Sequence, residues 1–521
     1  METFPAIDAD NRSVLNSDFV SIPHAPSYLL SYALVLLAVV IVYSSRGKSS
    51  QLAEINPRDT FEFSNIPRLR RFISNSVEVL TAGATQYLSK PYRLFCEWGE
   101  LTILPPESVN DIRSDRRFDF TTAASDDTHG YIPGFNGTMS DPFIVKVVSR
   151  HLTKALTKVT APLSEEAAIV IQKIATDSPE WRVFNVQENI MSIVSRMSSR
   201  VFMGEELCRD DEWNKASEYY ALKAFQAGHV LDEIPRWLRP YIHWFLPCCQ
   251  EVRRALSVAR KQLAPHIERR EKIKAAALAR GEKSPFDDGI EWFAQAGSTR
   301  QPADVQIALS LVANHTTTDL FSEAMINIAA HPELFQLLRE EVIRVLGEQG
   351  LTKTALYELK LMDSVLKETQ RLKPILLAWK RIALEDTTLP NGMTFKKGKK
   401  LAVGVTHMWS DEYYKGAKTF DPYRFLRMRE TPGEEHMAHL VSTSQNHLGF
   451  GHGVHACPGR FFASNEIKIA LCHLLLKYDW KLTESAQPPP VPNGMFYNSN
   501  PTAKLLIRRR KGELDFSTLD Y

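Results

Sequence analysis

The sequence predicts a mainly helical protein with small β-sheets, preceded by one membrane-spanning helix. Residues 303–331 contain neither proline nor glycine and are mostly apolar, which predicts one long buried helix. Residues 450–459 (Phe-Gly-His-Gly-Val-His-Ala-Cys-Pro-Gly) form a glycine-rich turn that brings a cysteine to the start of a second apolar helix. Residues 19–45 contain no Asp, Glu, Lys or Arg, as expected of a segment that crosses a membrane.

The composition is that of an ordinary globular protein of 521 residues, with 63 basic and 61 acidic side chains. The formal charge of +2 gives no electrostatic bias, so no nucleic-acid partner is expected. The 6 cysteines are scattered and form no CxxC pair, which argues against a secreted disulfide scaffold and against a zinc site. A reducing compartment fits best, and length alone suggests about two to four domains.

The apolar run separates an N-terminal arm from the rest of the chain and would itself be a membrane anchor. Residues 27–45 are long enough for one slightly short membrane-spanning helix. The arm, residues 1–26, carries four acidic residues and only one basic residue, whereas Arg46 and Lys48 come directly after the run. The positive-inside rule therefore predicts a lumenal arm and a cytosolic remainder. A cleaved signal peptide would need a basic start, which this arm lacks. On the arm, Asn11 in Asn-Arg-Ser is a candidate glycosylation site.

Residues 46–90 are predicted to be a polar, partly basic connector, and residues 91–521 the main module. Apolar residues alternate over residues 91–104, which predicts a small sheet. Residues 121–142 are rich in glycine and proline and predict a long irregular loop, of the kind that often carries function. From residue 142 to about residue 280 the pattern is mostly helical.

The long helix at residues 303–331 carries a polar patch in its middle. Five consecutive polar residues interrupt the apolar run: Asn314, His315, Thr316, Thr317 and Thr318. Buried polar groups need partners, and threonines can bond back to carbonyl oxygens one turn earlier and open the helix locally. Satisfied hydroxyl groups beside one core histidine would also explain the patch, so a structural and a functional role both remain open.

Two charged residues lie three positions apart on a later predicted helix. Glu368 and Arg371 share one helix face and can pair with each other. Taken alone, such a pair is most often a solvated surface contact. Arg424, in an irregular segment further along, could complete a buried network with them, a contact that spacing cannot prove.

The cysteine in the glycine-rich turn is the centre of the predicted chemistry. Cys457 precedes a helix N-terminus, where amide donors and the helix dipole favour a thiolate. Its sulfur could be a nucleophile, a redox thiol or a metal ligand, and His452 or His455 could serve a nucleophile as base. A metal held by one protein thiolate, with no clustered companion ligands, implies a cofactor that fills the other positions, namely haem iron.

The turn resembles the haem-binding signature of the cytochrome P450 family of haem-thiolate monooxygenases. Phe450, Gly453, Cys457 and Gly459 match that signature. Three further motifs follow the order and distances of the family: the patch ending in Thr316, the pair Glu368 and Arg371, and Pro422 with Arg424 and Phe425. The resemblance covers essentially the whole chain and implies the cytochrome P450 fold, one large helical module with small sheets.

The resemblance also implies a role for each of these residues. Cys457 would be the axial ligand of haem b iron, with Phe450 packed near its sulfur. Glu368, Arg371 and Arg424 would form a buried structural network behind the haem. Arg381 lies where the family often places a propionate-binding arginine, since its planar cation suits a carboxylate. Thr316 matches the threonine that helps to deliver protons to oxygen.

Two positions depart from the family pattern. His455 stands where many members carry an arginine that pairs with a propionate, so its charge would depend on pH. His315 stands where an Asp or Glu commonly precedes the threonine; an imidazole can relay protons, but the usual carboxylate route is absent. Both substitutions resemble those of fungal secondary-metabolism members such as the ent-kaurene-oxidase-like group.

The predicted function is oxidation of a lipophilic secondary metabolite, with a terpenoid as first candidate, by hydroxylation or by repeated oxidation. By resemblance, the electrons come from NADPH through NADPH-cytochrome P450 reductase on the same membrane, and the N-terminal anchor matches the endoplasmic-reticulum type of the family. The family's substrate contacts would fall on seven residues that are mostly apolar: Tyr131, Phe135, Ala313, Thr317, Leu377, Met495 and Phe496.

Two alternatives remain at this point. A haem-thiolate isomerase or dehydratase would need neither oxygen nor reductase and would tolerate an altered proton relay, although the retained Thr316 argues against it. A membrane-tethered haem protein without catalytic activity is the second, and the intact Cys457, Glu368 and Arg371 argue against it.

Overall fold

The computed structural model describes residues 52–484 and 487–511 and six further residues: Tyr32, Val35, Leu36, Leu514, Leu519 and Asp520. Helices make up most of this part of the chain. The chain divides into two units, residues 1–51 and residues 52–521. In the first unit only Tyr32, Val35 and Leu36 are described, and they are helical and exposed. The rest of the predicted anchor, the predicted lumenal arm and Asn11 lie outside the described residues. Over the described part of the chain, no helix has the length and apolar character needed to span a membrane.

The second unit contains seventeen described α-helices, numbered here in chain order. They are α1 (Ile66–Ser74), α2 (Ser76–Tyr87), α3 (Ser108–Ile112), α4 (Phe120–Asp127), α5 (Pro142–Ala175), α6 (Val186–Cys208), α7 (Asp211–Asp232), α8 (Arg239–Ile242), α9 (Pro247–Ala279), α10 (Gly289–Gln295), α11 (Pro302–Ala330), α12 (Glu333–Gln349), α13 (Lys353–Glu358), α14 (Lys360–Leu372), α15 (Arg424–Glu430), α16 (Glu435–Ala438) and α17 (Arg460–Lys477). Short 3₁₀ turns lie at Asn136–Thr138, Val405–Trp409 and Gly453–His455.

The strands form four small sheets. They are β1 (Tyr92–Cys96), β2 (Gly99–Leu104), β3 (Phe118–Asp119), β4 (Arg182–Asn185), β5 (Ala378–Ala383), β6 (Thr387–Thr388), β7 (Thr394–Phe395), β8 (Lys400–Gly404), β9 (Tyr478–Leu482), β10 (Val491–Asn493), β11 (Phe496–Asn498) and β12 (Lys504–Arg509). The largest sheet has the order β1-β2-β8-β5-β3, with β2 and β8 parallel and its other pairs antiparallel. The order β4-β12-β9 makes a second, antiparallel sheet, and β10-β11 and β6-β7 are two-stranded.

The long helix and the small sheet predicted from the sequence are confirmed. Helix α11 runs for 29 residues, begins with proline at its first turn and is buried over most of its length. Strands β1 and β2 pair as a hairpin over residues 92–104. Together with the many other helices, they confirm the mainly helical fold class.

Two stretches are more regular than the sequence pattern predicted. The stretch predicted as a connector contains α1 and α2, whose Phe72 and Leu80 are buried in the core of the largest sheet. The predicted loop at 121–142 begins inside a helix, because the carboxylate of Asp119 accepts a hydrogen bond from the Thr122 amide and caps α4.

The buried side chains form two main hydrophobic cores. One lies among the helices and surrounds α11, which packs against α6, α9 and α14. The other lies on the largest sheet and includes side chains of β1, β2, β5 and β8. The turn that carries Cys457 precedes α17, whose apolar residues belong to the helical core, so a rigid helix fixes the position of the sulfur.

Candidate active site

Two glycines give the cysteine turn its shape. Gly451 and Gly453 have φ angles of +68° and +78°, which residues with a side chain rarely adopt. A Cβ atom at Gly453 would also collide with the carbonyl oxygen of Arg113, and the neighbouring Val454 amide donates to that oxygen at 2.9 Å. Gly459 differs from the sequence interpretation: its φ is −88°, in the ordinary helical region, and the space beside its Cα is open.

Cys457 is half-buried at the end of this turn. Its amide donates to the carbonyl oxygen of Phe450 at 2.8 Å, which closes the turn. Burial raises the pKa of the thiol, while hydrogen bonds from the amides of Gly459 and Arg460 and the charge of Arg460 oppose the rise. Burial therefore outweighs the amide donors that the sequence predicted to favour a thiolate.

The described residues contain no group of three or more His, Cys, Asp or Glu side chains that could hold a metal ion. Cys457 therefore has no cluster of companion ligands among these residues. The remaining ligands of a metal that binds its sulfur must come from a cofactor.

Arg381 and Trp379 present two unused N–H donors near the turn. Arg381 is 1 % exposed, and its two terminal nitrogens donate to the carbonyl oxygens of Lys380 and His452 at 2.7 and 3.3 Å. Its Nε and the indole Nε1 of Trp379 are buried without a hydrogen-bond partner. Burial lowers the pKa of Arg381 to about 9. A carboxylate, which has two acceptor oxygens and the opposite charge to the guanidinium, would suit these two donors.

His455 lies beside a carboxylate in the same region. Its Nε2 is 3.5 Å from Oδ1 of Asp119, the residue that caps α4. Burial and the nearby charge of Arg381 lower the pKa of His455 more than Asp119 raises it. The imidazole is therefore neutral at neutral pH and can donate or accept a hydrogen bond, in place of the permanent charge of an arginine.

The polar patch of α11 has one face towards an internal cavity. Val312 is 62 % exposed, and His315 and Thr316 are also exposed, although the helix around them is buried. Burial among protein atoms nevertheless lowers the pKa of His315, whose ring meets the edge of Phe225 of α7 at 5.6 Å between centroids. Side chains that are accessible to solvent but surrounded by protein must lie along the wall of a cavity. Helices α11 and α7 form this part of the wall.

Asn314 and Thr318 of the patch face protein, and Thr316 bonds back to its own helix. The amide of Asn314 donates to the hydroxyl of Ser195 on α6 at 3.1 Å, and Thr318 contacts the sulfur of Met191 on the same helix. Thr316 donates its hydroxyl hydrogen to the carbonyl oxygen of Val312 at 2.8 Å, the back-bond to the previous turn that the sequence predicted. The structural role that the sequence left open is therefore present on the face that packs against α6, and the functional role of the exposed face stays a prediction.

Glu368, Arg371 and Arg424 form a buried network. Arg371 donates two hydrogen bonds of 2.8 Å to the carboxylate of Glu368, and the side chains of both residues are fully buried. Nε of Arg424 lies 3.1 Å from both oxygens of that carboxylate. The two arginines also donate to carbonyl oxygens of Met408, Lys415 and Gly416. The network ties α14 to the irregular segment that precedes α15, so its role is structural.

The seven residues predicted to contact substrate fall into two groups. Tyr131 and Phe496 are 39 % and 38 % exposed, and Ala313 is half-buried on α11. The other four are at most 3 % exposed: Phe135, Thr317, Leu377 and Met495. Leu377 and Met495 are joined by a backbone hydrogen bond of 2.9 Å and belong to the core of the largest sheet. These four side chains are covered by neighbouring strands and helices, and their contact with substrate stays a prediction.

The chain matches the Cytochrome P450 family over residues 142–507, more than half of its length. It belongs to the cytochrome P450 family. The resemblance inferred from the motifs is therefore confirmed.

Relatives from several fungi share most of the chain with this P450. Cytochrome P450 monooxygenase eqxH of Fusarium heterosporum is 50% identical over 503 residues, which cover 95% of this chain and 98% of that protein. Cytochrome P450 monooxygenase 1 of Gibberella fujikuroi is 46% identical, covering 82% of this chain and 99% of its own. Cytochrome P450 monooxygenase hepE of Aspergillus oryzae is 38% identical, covering 94% and 91%. The chain is a haem-thiolate monooxygenase by family.

The residues of this P450 fit haem. Cys457 offers a single sulfur, the space beside Gly459 is open, and Arg381 and Trp379 hold two buried donors without partners that suit the propionates. Haem held by these residues would supply an iron centre for dioxygen activation, and its thiolate ligand would donate electron density that favours O–O cleavage.

Two residues of the P450 site were missed by sequence reasoning, and the donor role of Trp379 was missed as well. Trp379 precedes Arg381 by two positions on β5, and the two-residue period of a strand would have placed both on one face. Asp119 and Phe225 carry no such signal, because they are distant in sequence from their partners. Only the folding of the chain brings Asp119 to His455 and Phe225 to His315.

Proposed function

We propose that this P450 oxidises a lipophilic secondary metabolite, with a terpenoid as the first candidate, in the endoplasmic-reticulum membrane. The oxidation is a hydroxylation or a series of oxidations at one region of the substrate. Its electrons come from NADPH through NADPH-cytochrome P450 reductase. The likeness of His315 and His455 to the ent-kaurene-oxidase-like group supports the terpenoid assignment.

The cavity face of α11 carries the proposal. Its exposed side chains are Val312, His315 and Thr316, and Phe225 of α7 lies against His315 and is itself 40 % exposed. None of these four side chains carries a permanent charge. An apolar wall with few hydrogen-bonding groups binds an apolar body and orients it through one or two polar atoms. A charged, strongly hydrated substrate would lose its solvation there without compensation.

Thr316 and His315 are the residues of this face that can hold or move a proton. The hydroxyl hydrogen of Thr316 is committed to the Val312 carbonyl at 2.8 Å, so its oxygen accepts a hydrogen bond from the cavity side. His315 is held neutral by burial and therefore offers one N–H donor and one acceptor nitrogen. A proton that enters at one ring nitrogen can leave from the other, which replaces the missing carboxylate.

A membrane location is supported by the aromatic segment between α7 and α9. Trp237, Tyr241, Trp244 and Phe245 are 66 %, 69 %, 53 % and 80 % exposed. Amphipathic aromatic rings are enriched where membrane meets water. Together with the predicted anchor at residues 27–45, this segment would hold the catalytic unit against the cytosolic surface of the membrane.

Reconstitution with reductase and isotopically labelled dioxygen tests the proposed function. Microsomes that contain the full chain and a P450 reductase are supplied with NADPH, labelled dioxygen and candidate terpenoids, and products are analysed by mass spectrometry. We expect labelled oxygen in a terpenoid product, and no product without reductase.

The control is the variant Cys457→Ala, which should lose the reduced carbon-monoxide band of a thiolate-bound haem together with all product. Product that forms without reductase, or that carries no label, would establish the isomerase or dehydratase alternative. Turnover of non-terpenoid lipids alone would refute the terpenoid assignment.

A further inference from the structure

The backbone that leads into the cysteine turn is buried without regular secondary structure. Residues 439–449, here called the lead-in segment, connect α16 to the turn and belong to no helix or strand. Leu440, His447 and Leu448 of this segment are nevertheless at most 5 % exposed. Buried backbone N–H and C=O groups need hydrogen-bond partners, and a segment outside helices and strands takes many of them from side chains. The position of the lead-in segment therefore depends on the side chains that bind its backbone.

One face of α14 supplies such side chains. Asp363, Lys367 and Gln370 are four and three residues apart, so they share one side of the helix, and each is at most 6 % exposed. The carboxylate of Asp363 accepts a hydrogen bond of 2.8 Å from the Leu440 amide. A Cβ atom at Gly449 would collide with the side-chain amide of Gln370, so these two residues are closely packed. The face therefore contacts both ends of the lead-in segment.

Lys367 makes the central contact of this face. Its Nζ donates to the carbonyl oxygens of His439 and Ser442 at 2.6 and 2.9 Å, so one amino group binds both ends of a four-residue stretch. Burial lowers the pKa of Lys367 to about 7, although the charge of Asp363 opposes this shift. The protonated and the neutral amino group both carry enough N–H hydrogens for two carbonyl oxygens. The contact is therefore kept in either protonation state.

The lead-in segment is joined to Cys457 through Arg460. Nε of Arg460 donates to the carbonyl oxygen of Val441 at 3.0 Å, and its Nη1 donates to the carbonyl oxygen of Cys457 at 2.8 Å. Val441 lies within the four-residue stretch that Lys367 binds. A displacement of this stretch would therefore reach the residue that carries the sulfur through a single side chain.

A second connection runs from the lead-in segment to the other side of the turn. The hydroxyl of Thr443 lies 3.0 Å from Nδ1 of His452. The carbonyl oxygen of His452 accepts a hydrogen bond of 3.3 Å from Arg381, which suits a haem propionate. The lead-in segment thus contacts the turn near the sulfur and near the propionate donors.

We propose that Lys367 is a positioning residue for the haem thiolate: it holds the lead-in segment in place and, through Arg460, keeps Cys457 where its sulfur binds iron. Its two hydrogen bonds are separate from the network of Glu368 and Arg371, which binds the segment before α15. The role is independent of which substrate the enzyme oxidises. Haem release and the spectrum of thiolate-bound haem therefore report it without any turnover.

Transfer of haem to an acceptor protein tests the proposal. The full-length haem-loaded protein and the variant Lys367→Met, which keeps a long stem but has no N–H donor, are each mixed with excess apomyoglobin. Transfer is followed by absorbance well below the unfolding temperature. We expect transfer from the variant to be about tenfold to a hundredfold faster, because two buried carbonyl groups lose their donor. The reduced carbon-monoxide spectrum should show a parallel loss of thiolate-bound haem.

The matched control is Lys400→Met, a second lysine whose side chain is largely buried. Lys400 donates to the carbonyl oxygen of Trp98 at 3.0 Å and pairs with Asp126 at 2.7 Å, so its contacts lie at the largest sheet and α4. This variant should unfold at a lower temperature than the wild type and yet release haem at the wild-type rate. A wild-type rate in Lys367→Met, or an equal acceleration in Lys400→Met, would overturn the proposal.

A double-mutant cycle tests the path through Arg460. Lys367→Gln keeps N–H donors on a shorter stem, and Arg460→Lys keeps one donor group, so each should speed haem release by less than Lys367→Met does. Because both side chains act through the same stretch of backbone, the double variant should release haem more slowly than the product of the two single effects. Effects that simply multiply would refute the path, and this cycle decides the proposal if Lys367→Met takes up no haem.

Discussion

At the scale of single residues, burial decides the protonation of the groups around the site. Cys457 lies next to a helix N-terminus, yet burial raises its pKa. His315 and His455 are both made neutral by burial, in spite of the carboxylate beside His455. Residue types and spacing identify which groups belong to the site, but their charges depend on the protein atoms that surround them.

Glu466 shows the same effect at a residue outside the catalytic machinery. It is fully buried on α17, where Oε1 accepts a hydrogen bond of 2.8 Å from Ser198 and Oε2 has no partner. Burial raises its pKa to about 8 from 4.5. Because the folded state holds the proton more tightly, the stability that this proton provides is complete below about pH 4.5 and is lost as pH rises through about 8.

We therefore expect Glu466→Gln to be as stable as wild type at acidic pH and more stable at about pH 8. The wild type should lose roughly 3–5 kcal/mol relative to the variant over that interval, since each pKa unit corresponds to about 1.4 kcal/mol. Thermal unfolding followed at a series of pH values measures the difference. Glu333→Gln, at an exposed position, is the control and should follow the wild type. A stability difference between wild type and Glu466→Gln that did not change with pH would contradict the prediction that Glu466 is buried and neutral.

The residues that sequence reasoning identified are those whose partners are near in sequence or whose motif is short. Glu368 and Arg371 lie three apart on a helix, so their pairing follows from helical geometry. Arg424 joins them from 56 positions away, a contact that only the fold establishes. The unused donors of Arg381 and Trp379 could not be predicted either, because the absence of a partner depends on every neighbouring atom.

At the scale of elements, the cysteine turn depends on its contact with the segment after α3. Gly453 lies against the carbonyl of Arg113, which also accepts a hydrogen bond from Val454. The turn and this segment therefore fix each other, and the turn holds Cys457 at the start of α17.

Gly453→Ala should disrupt the haem site. The added methyl group meets a backbone atom and the backbone has a positive φ, so we expect a cost above about 2 kcal/mol and little or no carbon-monoxide band. Gly433→Ala is the matched control: its φ is +89° but the space around it is open, so only about 1 kcal/mol should be lost and the band should persist. A full band in Gly453→Ala would show that the turn can move away from Arg113.

Sequence patterns located the elements better than they located side-chain directions. The segment around Met495 and Phe496 was predicted to contact substrate, and the structure buries Met495 and leaves Phe496 38 % exposed. Alternation along a strand predicts that neighbours point to opposite sides, but the covering elements decide which side is the core. Here Leu377 lies beside Met495 and helps to bury it.

At the scale of the whole molecule, residues 52–521 form one compact unit. Length alone suggested several domains, whereas the family resemblance predicted one module. Helix α11 explains the single unit, because its 29 residues pack against α6, α9 and α14 and so tie early and late parts of the chain into one core.

Truncation separates the unit from the predicted anchor. A chain that begins at Leu52 should fold, bind haem and move largely from the membrane fraction to the soluble fraction. A chain that begins at Tyr92 also lacks α1 and α2, which would expose the sheet surface covered by Phe72 and Leu80, so we expect aggregation and no carbon-monoxide band. Carbon-monoxide spectra of both chains measure haem binding, and sedimentation measures aggregation and the division between membrane and soluble fractions. Normal haem loading of the chain from Tyr92 would show that residues 46–90 act only as a connector.

The two buried donors of Arg381 and Trp379 have a consequence for the life of the protein in the cell. Each unpaired buried donor costs about 1–3 kcal/mol, a large part of the free energy that keeps a typical domain folded. Newly made chains should therefore be short-lived until haem satisfies these donors. The supply of haem would therefore contribute to the amount of enzyme that accumulates.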